Sequence, residues 1–155
     1  MAILNIVKDG DPLLRKISRP VESITPRILT LLDDMVETMH AAGGCGLAAV
    51  QVGVLRRVVV IEVEDGEIYE MINPVILKTK GHQQEVEGCL SLPDKWGVTS
   101  RPMTVTVRYT DRNGEEYDLT GSDLLARAIC HETDHLDGKL FTDVMVRPVS
   151  REEIE

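Results

Sequence analysis

The sequence predicts an α+β fold made mainly of antiparallel β-sheet, and three observations support this prediction. Apolar residues repeat at helical spacing in one stretch after Thr25 and in another after Ser122. Short runs rich in β-branched residues lie between these stretches. The helices do not alternate with the strands, as they would around a parallel sheet. With 155 residues, the chain is expected to form one domain over residues 1–155.

The first helix is expected to begin after Thr25. Residues 1–24 are expected to be irregular, apart from a helical turn near residues 11–16. Thr25 is a good N-cap residue, and Pro26 suits the first helical position. One apolar face follows, formed by Ile28, Leu32, Met35, Val36 and Met39. Gly43 and Gly44 are expected to end this long helix.

The strands are predicted from β-branched runs that are bounded by turn residues. They cover residues 56–63, 68–73, 74–81 and 104–109, followed by a return strand that ends near Gly121. The continuous apolar run within residues 56–63 is typical of a buried strand. Asp65-Gly66 and Asn113-Gly114 supply turns, and the second is expected to be a type I′ hairpin turn.

The second helix is predicted from Ser122, a suitable N-cap residue, to Gly138. Residues three and four apart share a helix face, which gives two neighbouring stripes. One stripe contains Leu124, Ala128, His131 and His135, and the other contains Leu125, Ile129 and Leu136. The helix is therefore expected to be half buried, with both histidines on or beside its buried side.

His131 and His135 are spaced so that both imidazoles can bind one metal ion. Glu132 projects from a nearby face and can reach a water bound to that ion. The pattern is short, and an exposed helix with two incidental histidines is the alternative. Burial favours the metal, because buried imidazoles need polar partners.

A catalytic site of this kind has three protein ligands and one open position, so a third ligand is required. The metzincin pattern would place a histidine at position 141, where this chain has Phe141. His40 and His82 lie in sequence settings typical of solvated or core histidines. Cys89 is the candidate, because it lies in a polar segment and follows Gly88, which permits unusual backbone geometry.

Composition argues against several classes of protein. The net charge of −9 is unfavourable for a nucleic-acid partner, since phosphates favour basic surfaces. No apolar run approaches the ~20 residues of a membrane helix, and the N terminus lacks the features of a signal peptide. A cytoplasmic location is expected, where the three cysteines stay reduced. Cys45 and Cys130 are expected to be small buried hydrophobes.

Three separated blocks resemble those of the peptide deformylases, in the order of that family. They are GCGLAAVQVG (44–53), EGCLSLP (87–93) and CHETDHLDG (130–138), and the opening DPLLRKISRPV is also similar. The resemblance spans nearly the whole chain. It implies antiparallel sheets packed around a central helix that carries H-E-x-x-H, with a long N-terminal helix. It also implies a metal-dependent hydrolase that removes the formyl group from the N-terminal formyl-methionine of newly made proteins and releases formate.

The resemblance also implies roles for residues at matching positions. The metal ligands would be Cys89, His131 and His135, and Glu132 would be the acid and base. Gln51 and the backbone N–H of Leu90 would face the developing oxyanion. Gly44, Cys45 and Gly46 would run beside the substrate, and Leu124 and Ala128 are expected in the wall of its methionine pocket. The implied metal is Fe²⁺, although Zn²⁺, Ni²⁺ or Co²⁺ would also suit a site of one cysteine and two histidines.

The sequence departs from the family at two positions, with Cys45 in place of an aliphatic residue and Cys130 in place of glutamine. Neither change removes a catalytic group. The expected partners are N-formyl-methionyl nascent peptides. Some family members dock on the ribosome through a basic C-terminal helix. The tail of this chain instead holds Glu152, Glu153 and Glu155, which weakens the expectation of ribosome contact.

Two other functions compete with this prediction. A structural zinc module would need a fourth ligand, and Cys130 points about 100° away from His131 around the helix. A metallopeptidase that cuts internal bonds would use a carboxylate or a histidine where this chain has Cys89.

Overall fold

Two antiparallel sheets and three α-helices make up the fold in residues 2–154, which the computed structural model describes. The helices are α1 (Pro26–Ala42), α2 (Asp123–Leu136) and α3 (Arg151–Ile154). The strands are β1 (Gly46–Ala48), β2 (Val58–Ile61), β3 (Tyr69–Lys80), β4 (Gln83–Cys89), β5 (Leu92–Arg101), β6 (Thr104–Thr110), β7 (Glu116–Ser122) and β8 (Met145–Val149). Strands β1-β2-β3-β6-β7 form one sheet, and β4-β5-β8 form the other. Every pair of neighbouring strands is antiparallel, which confirms the predicted α+β class.

Helix α1 begins and ends at the predicted residues. The Thr25 hydroxyl accepts a hydrogen bond from the Ile28 N–H at 3.4 Å, and Pro26 occupies the first helical position. Gly43 takes the left-handed conformation with φ of 71°, and its N–H donates to the His40 carbonyl. A residue with a side chain would be strained at this position. The turn leads the chain directly into β1.

Strand β2 lies between the two long helices. Its side chains alternate, so that Val58 and Val60 pack with the apolar face of α1 while Val59 and Ile61 pack with α2. All four are fully buried. Burial on both faces explains why the sequence of this strand is continuously apolar instead of alternating.

Strand β3 corrects the prediction of separate strands at residues 68–73 and 74–81, because one strand covers both. The register of its pairing with β6 shifts between Ile72 and Val75, and Asn73 has a left-handed φ of 53°. Asparagine tolerates this conformation. The Asn73 side chain accepts from the N–H of Val21 and donates to its carbonyl, both at 2.8 Å. A bulge therefore replaces the predicted break.

The prediction of a type I′ turn at Asn113-Gly114 is wrong. Such a turn needs positive φ at both central residues, and Gly114 has φ of 81° whereas Asn113 does not have a positive φ. Asp111 organises a longer loop, since its carboxylate accepts from the N–H groups of Asn113 at 2.9 Å and Glu115 at 3.0 Å. An aspartate that accepts hydrogen bonds from backbone N–H groups farther along the chain favours this longer loop over the two-residue turn that Asn-Gly predicts.

The three-stranded sheet brings the Cys89 segment to the side of α2. The sequence patterns do not indicate β4 and β5, whose burial does not alternate cleanly. A small apolar cluster ties this sheet to the N-terminal and C-terminal segments; it consists of Leu14, Leu92, Leu140 and Phe141. Strand β4 ends at Cys89, so its pairing with β5 sets the position of that thiol.

Gly138 follows α2 with φ of 74° and lies against the N-terminal segment. A Cβ there would be 2.4 Å from the Arg15 carbonyl oxygen, a backbone atom that cannot move aside easily. We expect Gly138→Ala to lower the free energy of unfolding by more than about 3 kcal/mol. Gly10→Ala is the matched control, because Gly10 has φ of 97° and open space. It should cost about 1–2 kcal/mol. Urea unfolding of both variants measures the difference, and equal losses would contradict the role of the Arg15 contact.

Candidate metal centre

Three side chains from two separate elements converge beside α2. Ligand atoms of Cys89, at the end of β4, and of His131 and His135, on α2, all lie within 4.8 Å of one another. The Cys89 Sγ is 3.4 Å from Nε2 of His135. The two imidazole rings meet edge to face, with centroids 5.1 Å apart. The histidine spacing therefore places both rings at one point, and β4 brings the thiol there.

Helix α2 is more deeply buried than the predicted half, since nine of its 14 residues are buried, and both histidines are among them. His135 is fully buried and His131 is 9% exposed. Ala128 is buried on the same stripe, whereas Leu124 in the first turn is 42% exposed. Ser122 precedes the helix, but its hydroxyl makes no capping bond, since it is hydrogen-bonded to the Thr104 hydroxyl at 3.1 Å.

A buried carboxylate orients the first histidine. Nδ1 of His131 is hydrogen-bonded to Glu87 Oε1 at 2.9 Å, so Nε2 remains for a metal. Glu87 also accepts from the Thr99 hydroxyl at 2.5 Å and from two guanidinium nitrogens of Arg101 at 3.0 Å. Arg101 in turn donates to Asp134 at 2.6 Å. Such outer partners fix the tautomer and the orientation of a metal-binding histidine.

The residues of this network were missed by the sequence reasoning. A local signal exists for one of them, because Glu87 lies only two residues before Cys89 on β4. Thr99 and Arg101 lie on β5, and their approach to Glu87 depends on the β4–β5 pairing. That pairing was not predicted, so nothing local connected them to the histidines.

The charges around the histidines favour a cation at this point. Burial lowers the pKa of His131, but the carboxylate of Glu132, the Cys89 sulfur and Glu87 raise that pKa well above its ordinary value. Burial and the charge of His131 lower the pKa of His135 to about 3, which keeps this imidazole neutral. Although burial opposes it, the hydrogen bonds from His131 and Arg101 lower the pKa of Glu87 to about 2. Glu87 is therefore ionised, and the site favours positive charge near His131.

The side chain of Glu132 extends from α2 to β1 and is buried. It is 5% exposed, and burial raises the pKa of its carboxyl to about 7. One oxygen, Oε1, has no hydrogen-bond partner among residues 2–154. The other oxygen, Oε2, lies against the backbone of Gly46. A carboxyl with a pKa near neutrality and no protein hydrogen bond to Oε1 is suited to accept and return a proton.

Gln51 is held in one orientation beside Cys89. Its Oε1 accepts from the Ala48 N–H at 2.9 Å, and its Nε2 donates to the Ser91 hydroxyl at 3.1 Å. Nε2 also lies 3.5 Å from the Cys89 Sγ. An amide has two N–H groups, so one donates to Ser91 and the other is directed at the Cys89 sulfur. Ser91 is fully buried and was missed in the sequence.

Cys45 and Gly88 differ from what the sequence predicts, whereas Cys130 agrees with it. Cys45 is exposed, so the prediction that it is a buried hydrophobe is wrong. Cys130 is buried, as predicted, and burial raises the pKa of its thiol to about 11. Gly88 does not have a positive φ. It is required for close approach, because a Cβ there would lie 2.9 Å from the ring of Trp96.

The donor set fits a divalent metal ion. One thiol sulfur and two imidazole nitrogens are the ligand types that Zn²⁺ and related metals prefer. Two buried polar atoms at the site, Glu132 Oε1 and His135 Nδ1, have no partner among residues 2–154. This combination, with a glutamate directly after the first histidine, is typical of the metal-dependent hydrolases that carry H-E-x-x-H.

Comparisons with known proteins identify the family within that class. The model of the polypeptide deformylase family matches residues 3–151. A peptide deformylase of Acetivibrio thermocellus is 54% identical over 155 residues, which cover 100% of this chain and 91% of that protein. One of Alkaliphilus metalliredigens is 56% identical over 147 residues, covering 95% and 99% of the two chains.

Solved structures agree with this result. The crystal structure of a peptide deformylase from Legionella pneumophila has a TM-score of 0.89 and 40% identity, covering 97% of this chain and 88% of that one. That of the Ehrlichia chaffeensis peptide deformylase in complex with actinonin has a TM-score of 0.91 and 39% identity, covering 99% and 92%. The chain therefore belongs to the polypeptide deformylase family. This family consists of metal-dependent hydrolases that remove the N-formyl group from newly made polypeptides, and the chain is an enzyme of this kind.

Glu87→Gln tests the carboxylate that orients His131. The substitution keeps the shape but removes the charge that bonds Nδ1, so we expect the affinity for metal to fall by ~10–100-fold. Arg101 then loses one of its two carboxylate partners, and the free energy of unfolding should fall by up to ~3–5 kcal/mol. Competition with a chelator and urea unfolding measure the two effects. Glu85→Gln, at an exposed position of the same strand, is the control. Unchanged metal affinity in Glu87→Gln would refute the orienting role.

Proposed function

We propose that Cys89, His131 and His135 hold a divalent metal ion and that Glu132 is the acid and base for deformylation. The observation that carries this proposal is the convergence of the three ligand atoms within 4.8 Å beside a buried glutamate whose Oε1 has no hydrogen-bond partner among residues 2–154. A structural zinc module is less well supported, because Cys130 is buried away from this group and supplies no fourth ligand in residues 2–154.

Glu132 moves the proton in the proposed mechanism. When bound, the metal lowers the pKa of a water molecule and polarises the formyl oxygen. Glu132 accepts the proton of the attacking water on its carboxylate, which makes no hydrogen bond to another protein group in residues 2–154. It then returns the proton to the leaving amine, as a carboxyl with a pKa near the working pH can do. The products are formate and a free amino terminus.

Gln51 and Leu90 stabilise the negative charge that develops on the formyl oxygen. The bonds from Ala48 and to Ser91 fix the Gln51 amide before the reaction, so that no reorganisation is needed. The backbone N–H of Leu90, next to Cys89, is the second donor. Preorganised donors of this kind are each worth about 3–4 kcal/mol of transition-state stabilisation.

The substrate peptide is proposed to lie along Gly44, Cys45 and Gly46. Strand β1 is at the edge of the five-stranded sheet, so its outer backbone groups are available to an extended peptide. The exposure of Cys45 supports this placement, because a residue that borders a substrate must be reachable. Ala128 and Leu124, on the histidine stripe of α2, are proposed to border the methionine side chain.

Formate release is the experiment that tests the proposed function. The enzyme is expected to release formate from formyl-Met peptides. It should leave a general peptidase substrate intact. Cleavage of the peptidase substrate would favour a metallopeptidase. Absence of both activities in metal-loaded protein would favour a structural metal site.

We propose Fe²⁺ as the resident metal, with Zn²⁺, Ni²⁺ or Co²⁺ as substitutes. The family resemblance and the thiol ligand support this, and the donor set suits all four metals. Protein purified without oxygen should carry one iron per chain by mass spectrometry. Iron-loaded enzyme should lose activity in air faster than the nickel or zinc form, because the metal and the thiolate are both oxidised. Equal durability in air would contradict an accessible iron–thiolate site.

We propose that residues 1–155 form one catalytic domain that acts in the cytoplasm. Helix α2 contacts strands of both sheets, which supports a single folding unit. None of the helices in residues 2–154 is long and apolar enough to span a membrane. The direct partner is proposed to be the formylated nascent peptide.

A further inference from the structure

The backbone of Gly46 lies so close to the side chain of Glu132 that there is no room for a side chain at position 46. A Cβ at this position would lie 2.5 Å from Oε2 of Glu132, 3.0 Å from Cδ and 3.1 Å from Cγ. Cβ atoms in proteins essentially never come closer than 3.0 Å to a non-bonded heavy atom. The carboxylate of Glu132 thus occupies the space that a methyl group would fill.

The backbone of Gly46 is held firmly in place. Gly46 is paired with Ile61 in the β1–β2 ladder, and the carbonyl of Cys45 accepts from the Glu62 N–H at 2.8 Å. Leu47, the next residue, is fully buried. Gly46 does not have a positive φ, so alanine suits its backbone conformation. A methyl group at position 46 would therefore be accommodated by movement of the Glu132 side chain and not of the strand.

We infer that Gly46 is a positioning residue for Glu132, and this inference rests on the proposed function of that glutamate. The bare backbone of Gly46 gives Oε2 a place against β1, while Oε1 is buried without a hydrogen-bond partner among residues 2–154. A side chain at position 46 would displace the carboxylate by 0.5 Å or more. Since a misplacement of about 1 Å can cost ~10²-fold in rate, the absence of a side chain matters to catalysis.

The test compares Gly46→Ala with Gly121→Ala. Gly121 also lies in a strand of the five-stranded sheet, and a Cβ there would meet the side chain of Leu125 on α2 at 2.7 Å. The two variants thus impose a similar overlap on the same helix, one at Glu132 and the other away from it. Both variants should keep metal content and thermal midpoint. We expect kcat on a formyl-Met dipeptide to fall by ~10²-fold in Gly46→Ala with little change in KM, and to stay near the wild-type value in Gly121→Ala.

A double-mutant cycle shows whether Gly46 acts through Glu132. Glu132→Asp shortens the side chain by one methylene and makes room for the added methyl group. The Gly46→Ala step should therefore cost less in the Glu132→Asp background than in the wild-type background. Equal costs in both backgrounds would overturn the inference, and so would a rise in KM with unchanged kcat, which would make Gly46 a substrate contact only.

A crystal structure of Gly46→Ala supplies a readout that does not depend on activity. The carboxylate of Glu132 is expected to be displaced while β1 keeps its register. A shifted strand, an unfolded variant or an unmoved carboxylate would overturn the inference. If the wild-type enzyme released no formate, the proposed function would fail, while the crystal structure would still decide whether Gly46 sets the position of Glu132.

Discussion

The Glu132→Gln variant is expected to keep its fold and its metal while kcat for deformylation falls by ~10²–10⁴-fold. Glutamine keeps the size and shape of the side chain but cannot accept the proton of the attacking water. Burial raises the pKa of the Glu132 carboxyl to about 7, so its ionised form is disfavoured in the folded protein. Replacing it with a neutral amide should therefore not lower the free energy of unfolding.

Metal content, kcat and KM on a formyl-Met dipeptide measure this prediction. KM should change little, because the substrate is held by the backbone of residues 44–46 and by the pocket. His131→Gln is the comparison, since it removes an imidazole at the adjacent position and should lose metal and activity together. A Glu132→Gln protein that lacks metal, or that retains near-normal kcat, would show that Glu132 is not the acid and base.

Features that depend on local interactions were predictable from the sequence. The ends of α1 follow from the Thr25 cap, from Pro26 and from the left-handed turn at Gly43, all of which involve neighbouring residues. The buried position of β2 follows from its uninterrupted apolar run. The approach of His131 to His135 follows from the geometry of a single helix turn.

Features that depend on strand pairing were not predictable. The Glu87–Arg101 pair and the Ser91–Gln51 bond join residues 14 and 40 apart in the sequence. Their contacts exist only because β4 pairs with β5 and because the Cys89 segment lies over the 3-10 helix Ala49–Val52. The prediction for Cys45 failed for a similar reason. Cysteine is usually buried, but this one directly precedes the edge strand β1, and its exposure depends on how the whole sheet is assembled.

Cys89→Ala is expected to lose the metal, whereas Cys45→Ala and Cys130→Ala should keep it. The substitution removes one of three proposed ligands and leaves only the two imidazoles, which bind divalent metals more weakly than a site that also has a thiolate. Since loss of an outer partner already costs ~10–100-fold in affinity, loss of a ligand should weaken binding by at least ~10²-fold. Cys89 is only partly buried, so alanine should be tolerated by the fold.

The other two cysteines are matched controls in different environments. Cys45 is exposed at the proposed substrate strand, and Cys130 is buried on α2 directly before His131. Cys130→Ala should lower the free energy of unfolding slightly through lost packing, without release of metal. Metal per chain, measured by mass spectrometry after gel filtration, separates the three variants. Because Cys130 is the nearest thiol to His131 in sequence, loss of metal from Cys130→Ala together with retention in Cys89→Ala would replace the proposed ligand set by one built on α2 alone.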